Sequence, residues 1–180
     1  MTEPSLSLSV VVVRETPADA PAVERLAERA FGPGRFARTA YRLREVAAPD
    51  WDLCFVARVS TLLVGANRMT PLGIGGTPAL MLGPLTVDPA FRGRGIAAGL
   101  VARSLEAARA AGHALVLLVG DEPYYRRFGF TRVPPGRLRM PGPVDAARLL
   151  WCELVPGASA GVAGPVGALP AGEAPSHPGR

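Results

Sequence analysis

Two glycines one residue apart, in the run Arg92-Gly93-Arg94-Gly95-Ile96-Ala97, are the first residues in this chain whose spacing points to chemistry. Behind them Ile96, Leu100, Val101, Leu105 and Ala108 fall at helical spacing, with Arg103, Glu106 and Arg109 on the other side. A glycine turn that feeds a helix leaves the first N–H groups of the helix without intrahelical partners, and the helix dipole adds partial positive charge. Such a turn accepts a phosphate or pyrophosphate. The plain alternative is a tight turn with no ligand. Spacing removes two common phosphate-binding designs. There is no Gly-Lys-Ser/Thr, so the turn is not a P-loop. Gly93 and Gly95 are followed by Ile96, Ala97 and Ala98, so the third glycine of a dinucleotide fingerprint is missing.

Other reactive side chains are few. No Ser-His-Asp or Cys-His arrangement stands out for nucleophilic catalysis. His113 has a suitable side chain for a general base. It lies at the start of a strand, however, at the end opposite the glycine turn, and ligands of such units sit beyond the strands' carboxyl ends. Asp88 is the one acid on the strand before the turn. Asp121, Glu122 and Glu153 are further acids that can take up a proton through water. For Asp121 and Glu122 the preferred reading is capping of a short helix opened by Pro123.

These residues need a scaffold, and the rest of the chain supplies one. Residues 8–14 are valine-rich and read as a first strand. Thr16 and Pro17 open a helix whose apolar stripe is Val23, Leu26, Ala27, Ala30 and Phe31. Gly32 and Pro33 stop it, and residues 35–46 read as a second helix. Residues 52–59, 62–71 and 79–87 read as three antiparallel strands, the last ending at the glycine turn. Gly83-Pro84 inside it predicts a bulge or splay, because proline cannot donate to a ladder. Gly112 closes the central helix. Residues 114–119 follow as a strand parallel to 79–87, by a right-handed crossover. Residues 149–155 read as a late strand after a proline-rich connection at 133–144.

On these residues the chain resembles the GNAT superfamily of N-acetyltransferases. Residues 92–97 match its Q/R-x-x-G-x-G/A signature. Tyr124-Tyr125-Arg126-Arg127-Phe128-Gly129-Phe130 looks like its closing motif, a short helix with a tyrosine followed by Gly-Phe. The run from Gly120 to Phe130, with Glu153-Leu154-Val155-Pro156-Gly157 downstream, is similar to a bacterial subgroup of that family. The resemblance covers residue 10 to about residue 164. It implies an α+β fold: a mostly antiparallel sheet of six to seven strands, splayed between the fourth and fifth, with about four helices. It implies one domain over residues 8–164, and composition, rich in Pro, Gly and Ala, reads residues 165–180 as a disordered tail.

The same resemblance implies acetyl-coenzyme A as cosubstrate, with no metal. Leu85, Thr86 and Val87 would pair with its pantetheine arm. Arg92, Gly93, Arg94, Gly95, Ile96, Ala97 and Ala98 would hold its pyrophosphate, and Tyr124 would pack or touch it. Tyr125 would be the general acid to the departing thiolate, after direct attack by a primary amine of a small molecule, peptide or protein. Phe31, Arg35, Phe36 and Tyr41, on the first two helices, are candidates for acceptor contact beside a plain core or surface role. Two other readings remain: a non-catalytic acyl-coenzyme A sensor or partner-binding module on this fold, and another nucleotide-binding α/β protein.

Composition bounds the rest. The 180 residues suit one domain with an adequate core. All 20 basic residues are arginine, scattered along the chain, so the net charge of +5 is no nucleic-acid signature. It would still attract an anionic coenzyme. No apolar run approaches a membrane span, and residues 10–13 are too short for a signal peptide. A cytoplasmic protein is the default expectation, and a homodimer is compatible with it. Cys54 and Cys152 are expected as buried thiols.

Overall fold

The structure, a computed structural model, describes residues 9–32 and 47–169. The predicted second helix, with Arg35, Phe36 and Tyr41, lies outside the described residues. One sheet organises the chain. Its strands are β1 (Val10–Arg14), β2 (Phe55–Val59), β3 (Leu62–Ile74), β4 (Thr77–Val87), β5 (Leu115–Val119), β6 (Thr131–Arg132), β7 (Leu138–Arg139), β8 (Leu149–Glu153) and β9 (Gly164–Gly167). The main path runs β1-β2-β3-β4-β5-β8-β6, and β9 pairs with both β3 and β7. Pairing is antiparallel except for β4 with β5 and β7 with β9. Three α-helices are described: α1 (Ala20–Phe31), α2 (Ile96–Ala110) and the single turn α3 (Glu122–Tyr125). The strand count exceeds the expected six to seven because three short strands, β6, β7 and β9, complete the far end.

Alternation along the strands assigns the two faces. Leu80 and Leu82 of β4, Val116 and Leu118 of β5 and Leu150 and Cys152 of β8 pack on Val101, Leu105 and Ala108 of α2. Their neighbours Ala79, Met81, Leu115, Leu117, Leu149 and Trp151 form a second cluster with Val162 and Val166. The chain after β8 therefore builds a core layer. Residues 164–167, mostly within the expected disordered tail, form β9 against Gly73 and Ile74 of β3. Val166 is 4% exposed there, and this burial is what orders a segment that composition alone marks as loose.

Helix α1 docks through Val23 and Leu26 onto Val56 and Ala66. A buried ion pair fixes it further. Arg68 of β3 donates from Nε to both Glu15 oxygens at 2.9 Å, and from its terminal nitrogens to Glu15 and to Glu24 of α1. Arg68 and Glu15 are 4% and 3% exposed, so each charge depends on the other. Thr16 and Asp19 form the expected start signal, but a 3-10 turn at Pro17–Asp19 precedes α1. Residues 52 and 53, expected to begin the second strand, instead belong to a 3-10 turn at Trp51–Leu53, where the Asp50 carboxylate accepts the Asp52 N–H.

The fold feature that matters most lies between β4 and β5. Asn67 of β3 faces Leu85, and Met69 faces Leu82, so Gly83 and Pro84 stand opposite Arg68 alone. This is the bulge expected at Gly83-Pro84. Parallel pairing of β4 and β5 is confined to Leu80 with Val116 and Met81 with Leu117. Beyond those pairs the two strands part.

Candidate active site

The gap between the parted strands is a cleft of about 700 Å³. Leu82, Leu85 and Val87 form one wall, and Leu118, Gly120 and Asp121 the other. Above the glycine turn lies an adjoining cavity of about 300 Å³. Val87, Arg92, Ala97 and Tyr124 line both, so the two make one groove. The end away from the turn is formed by Phe31 at the end of α1 and by Pro143, Val144, Asp145 and Arg148.

The turn is built to present backbone donors. Gly93 and Gly95 have φ of +75° and +77°, a region closed to most side chains. Gly95 caps α2 without a side chain, and after the Arg92 N–H, which reaches the Pro89 carbonyl at 3.5 Å, the next N–H to find a carbonyl is that of Gly99, at 3.0 Å from Gly95. None of the N–H groups of residues 93–98 makes a well-aligned backbone hydrogen bond among the described residues. Asp88 anchors the approach: its carboxylate accepts the Ala90 N–H at 3.0 Å and pairs with Arg29 at 3.1 Å. This arrangement is an anion cradle.

Tyr125 enters the cleft from α3. Its ring meets Phe130 and Tyr124 edge-on, at centroid distances of 5.9 and 4.9 Å. A glycine behind it makes the room. A Cβ on Gly120 would lie 2.9 Å from Tyr125 Cδ2, and closer still to Cε2. Burial pushes the Tyr125 hydroxyl up to about 12; Tyr124 and Asp121 add to the rise and Arg148 opposes it. The phenol is therefore neutral, a donor, at any physiological pH.

The expected site residues separate into those the fold brings together and those it does not. Leu85, Val87, Arg92, Ala97, Tyr124 and Tyr125 line the cleft. Gly93, Gly95, Ile96 and Ala98 line the outer cavity. Thr86, between Leu85 and Val87, points the other way and is 2% exposed, so only its backbone is on offer. Arg94 lines neither cavity; its guanidinium lies over the Phe91 ring at 5.7 Å. His113 lies just before β5, at the end away from the cleft, as the crossover argument predicts. Asp121 lines the cleft, but its carboxylate pairs with Arg148 at 3.2 Å and does not cap α3. Glu122 does not cap either: it holds Arg126 and Arg132. Those cations, Arg126 foremost, keep its carboxyl below the usual range. Glu153 is at the wrong end of β8, opposite Leu115, where it accepts the N–H groups of Gly157 and Ser159. Neither glutamate lines the cleft, whereas Asp121 does. Gly120, Arg127, Asp145 and Arg148 were not singled out from the sequence. A glycine closing a buried strand just before the tyrosine helix was the available signal for the first.

Residues 13–133 match the acetyltransferase (GNAT) domain. The chain belongs to the GNAT family of N-acetyltransferases. Within that family it is 32% identical over 118 residues to the N-acetyltransferase YhbS of Escherichia coli, across 64% of this chain and 70% of the relative. The crystal structure of YhbS in complex with CoA superposes with a TM-score of 0.76 and 29% identity, covering 93% of each chain. A GNAT family acetyltransferase from Brucella melitensis in complex with acetyl-CoA gives 0.63 and 28%, over 83% of this chain and 90% of that one. As a GNAT protein this chain is an acyltransferase, and the splayed sheet and glycine turn are family architecture. None of the helices among the described residues is long and apolar enough to cross a membrane.

Proposed function

We propose that this acyltransferase binds acetyl-CoA along the groove and passes the acetyl group to a primary amine by direct attack within a ternary complex. The observation that carries this reading is the row of unengaged N–H groups at residues 93–98, opening into a cleft that holds a neutral, half-buried tyrosine. The two solved relatives with CoA and acetyl-CoA support the choice of ligand. The residues fit the group: N–H donors and the Arg92 guanidinium suit a pyrophosphate, and the parted β4 edge suits an amide-bearing arm.

When bound, acetyl-CoA supplies an acyl carbon activated as a thioester and a thiol leaving group. This chain's own residues do the rest. Backbone groups near Val87, beyond the bulge, orient the arm and polarise the carbonyl. Tyr125 donates its phenolic proton to the departing sulfur as the amine nitrogen bonds to the acyl carbon. Phe31, Pro143 and Val144 offer apolar contact to the acceptor. One of the two carboxylates that line the cleft, Asp121 or Asp145, receives the proton the nitrogen sheds, and the Tyr125 phenolate regains its proton from solvent. Holding both partners in one cleft supplies much of the acceleration. The two buried free thiols support a reducing, cytoplasmic setting.

Tyr125→Phe tests the assignment. Turnover measured as thiol release falls by about 10²-fold, while acetyl-CoA affinity by calorimetry stays within about twofold because the N–H row is untouched. Equal loss of both quantities, or of neither, removes Tyr125 from the proton-donor role.

A further inference from the structure

The outer cavity holds cations at two different places along the groove. Two guanidinium groups line it, Arg92 from the glycine turn and Arg127 from the 3-10 turn at Arg126–Phe128, and no acidic side chain does. Arg127 lies over aromatic rings, with its Cζ 4.1 Å from the Tyr124 centroid and 5.0 Å from that of Phe128. Its neighbours are treated differently. Arg126 pairs with Glu122 at 3.0 Å, and the other oxygen of Glu122 takes Arg132 at 2.6 Å. Arg92 and Arg127 have no carboxylate partner among the described residues. Like charges facing one cavity repel unless an anion enters. The stacked guanidinium is also already ordered, so binding costs it little rotamer freedom.

The two arginines divide the work by position. Arg92 lines both parts of the groove, beside the N–H row, where a pyrophosphate diester sits. Arg127 lines only the outer part, so it is left for an anion farther out along the same ligand. We infer that Arg127, stacked on Tyr124, binds the ribose phosphate monoester of the coenzyme and makes the protein selective for coenzyme carrying that phosphate. The inference rests on the acetyl-CoA reading above.

The test is calorimetric binding of acetyl-CoA and of 3′-dephospho-acetyl-CoA to the wild type, Arg127→Gln and Arg126→Gln. A charge-assisted hydrogen bond to phosphate predicts that the wild type binds acetyl-CoA about tenfold more tightly than the dephospho form. Arg127→Gln loses that discrimination, falling on acetyl-CoA and hardly changing on the dephospho form. Arg126→Gln keeps it. Comparing two ligands on one variant separates the effect from any change in folding. Wild-type binding of both ligands with equal affinity overturns the assignment and leaves the acetyl-CoA reading standing. Equal weakening of both ligands by Arg127→Gln overturns it too. Failure of the wild type to bind acetyl-CoA overturns the parent reading and this inference together.

Discussion

Gly120→Ala is the sharpest probe of how the scaffold places the proposed acid. The added Cβ would sit 2.9 Å from Tyr125 Cδ2, nearer still to Cε2, and 3.1 Å from Leu118 Cδ1. Carbon atoms settle at ~3.5–4.0 Å, so the tyrosine ring must retreat by about 1 Å. The backbone cannot absorb the clash easily. The Gly120 N–H is bonded to the Arg148 carbonyl at 2.9 Å, and Leu118 is 1% exposed within the core. The ring therefore moves, and its hydroxyl with it. A displacement of this size at a reacting group costs roughly 10²-fold in turnover, ~2.7 kcal/mol in the barrier. The atoms nearest the added methyl belong to Tyr125 and Leu118 and not to the N–H row at residues 93–98, so affinity for acetyl-CoA changes by less than about threefold. Steady-state thiol release and calorimetry read the two quantities separately. The decisive arm is the double variant. With Tyr125→Phe already in place there is no hydroxyl to misplace, so Gly120→Ala reduces turnover by less than about threefold further. Wild-type turnover in Gly120→Ala, or an undiminished 10²-fold loss in the Tyr125→Phe background, would refute the reasoning.

Two further predictions concern the frame. Arg68→Met strands the Glu15 carboxylate in the core and costs about 3–5 kcal/mol, a fall in Tm on the order of 10 °C by thermal unfolding; a wild-type Tm would show that the pair is dispensable. Burial pushes the Cys54 thiol from 9.0 to about 12. Above pH 9 the unfolded chain therefore sheds a proton that the folded chain keeps, and stability falls as pH rises through that window. The loss is about 1.4 kcal/mol at pH 10. Urea unfolding at pH 8 and pH 10 checks it: Cys54→Ala should show that much less pH dependence than the wild type, and an unchanged dependence contradicts the assignment.

How much of this was visible in the residues depends on how local each feature is. The glycine turn, the helix behind it, the three antiparallel strands and the bulge at Gly83-Pro84 follow from short-range rules of backbone geometry and apolar spacing. The pairing of Arg68 with Glu15 does not, because the two are far apart in sequence and meet only when β2 joins β1 and β3 into one sheet. The acceptor end escaped for the same reason. Pro143, Val144, Asp145 and Arg148 come from a proline-rich connection with no periodicity, and only the return of β8 beside β5 brings them to the cleft. What Glu122 and Glu153 do is non-local as well, because helix capping and proton transfer ask for the same residue type, and which carboxylate is engaged elsewhere depends on arginines and N–H groups that arrive with the fold. Residues 164–167 read as loose by composition, yet they are held by edge pairing with β3 and by the burial of Val166.

The most direct test of the account is calorimetry with acetyl-CoA, ATP and NAD, followed in the same cell by thiol release on addition of a panel of primary amines. The account predicts binding of acetyl-CoA alone and release of thiol with at least one amine. Absence of acetyl-CoA binding, or equal binding of all three nucleotides, would contradict it, because the cradle at residues 93–98 would then not hold the ligand assigned to it.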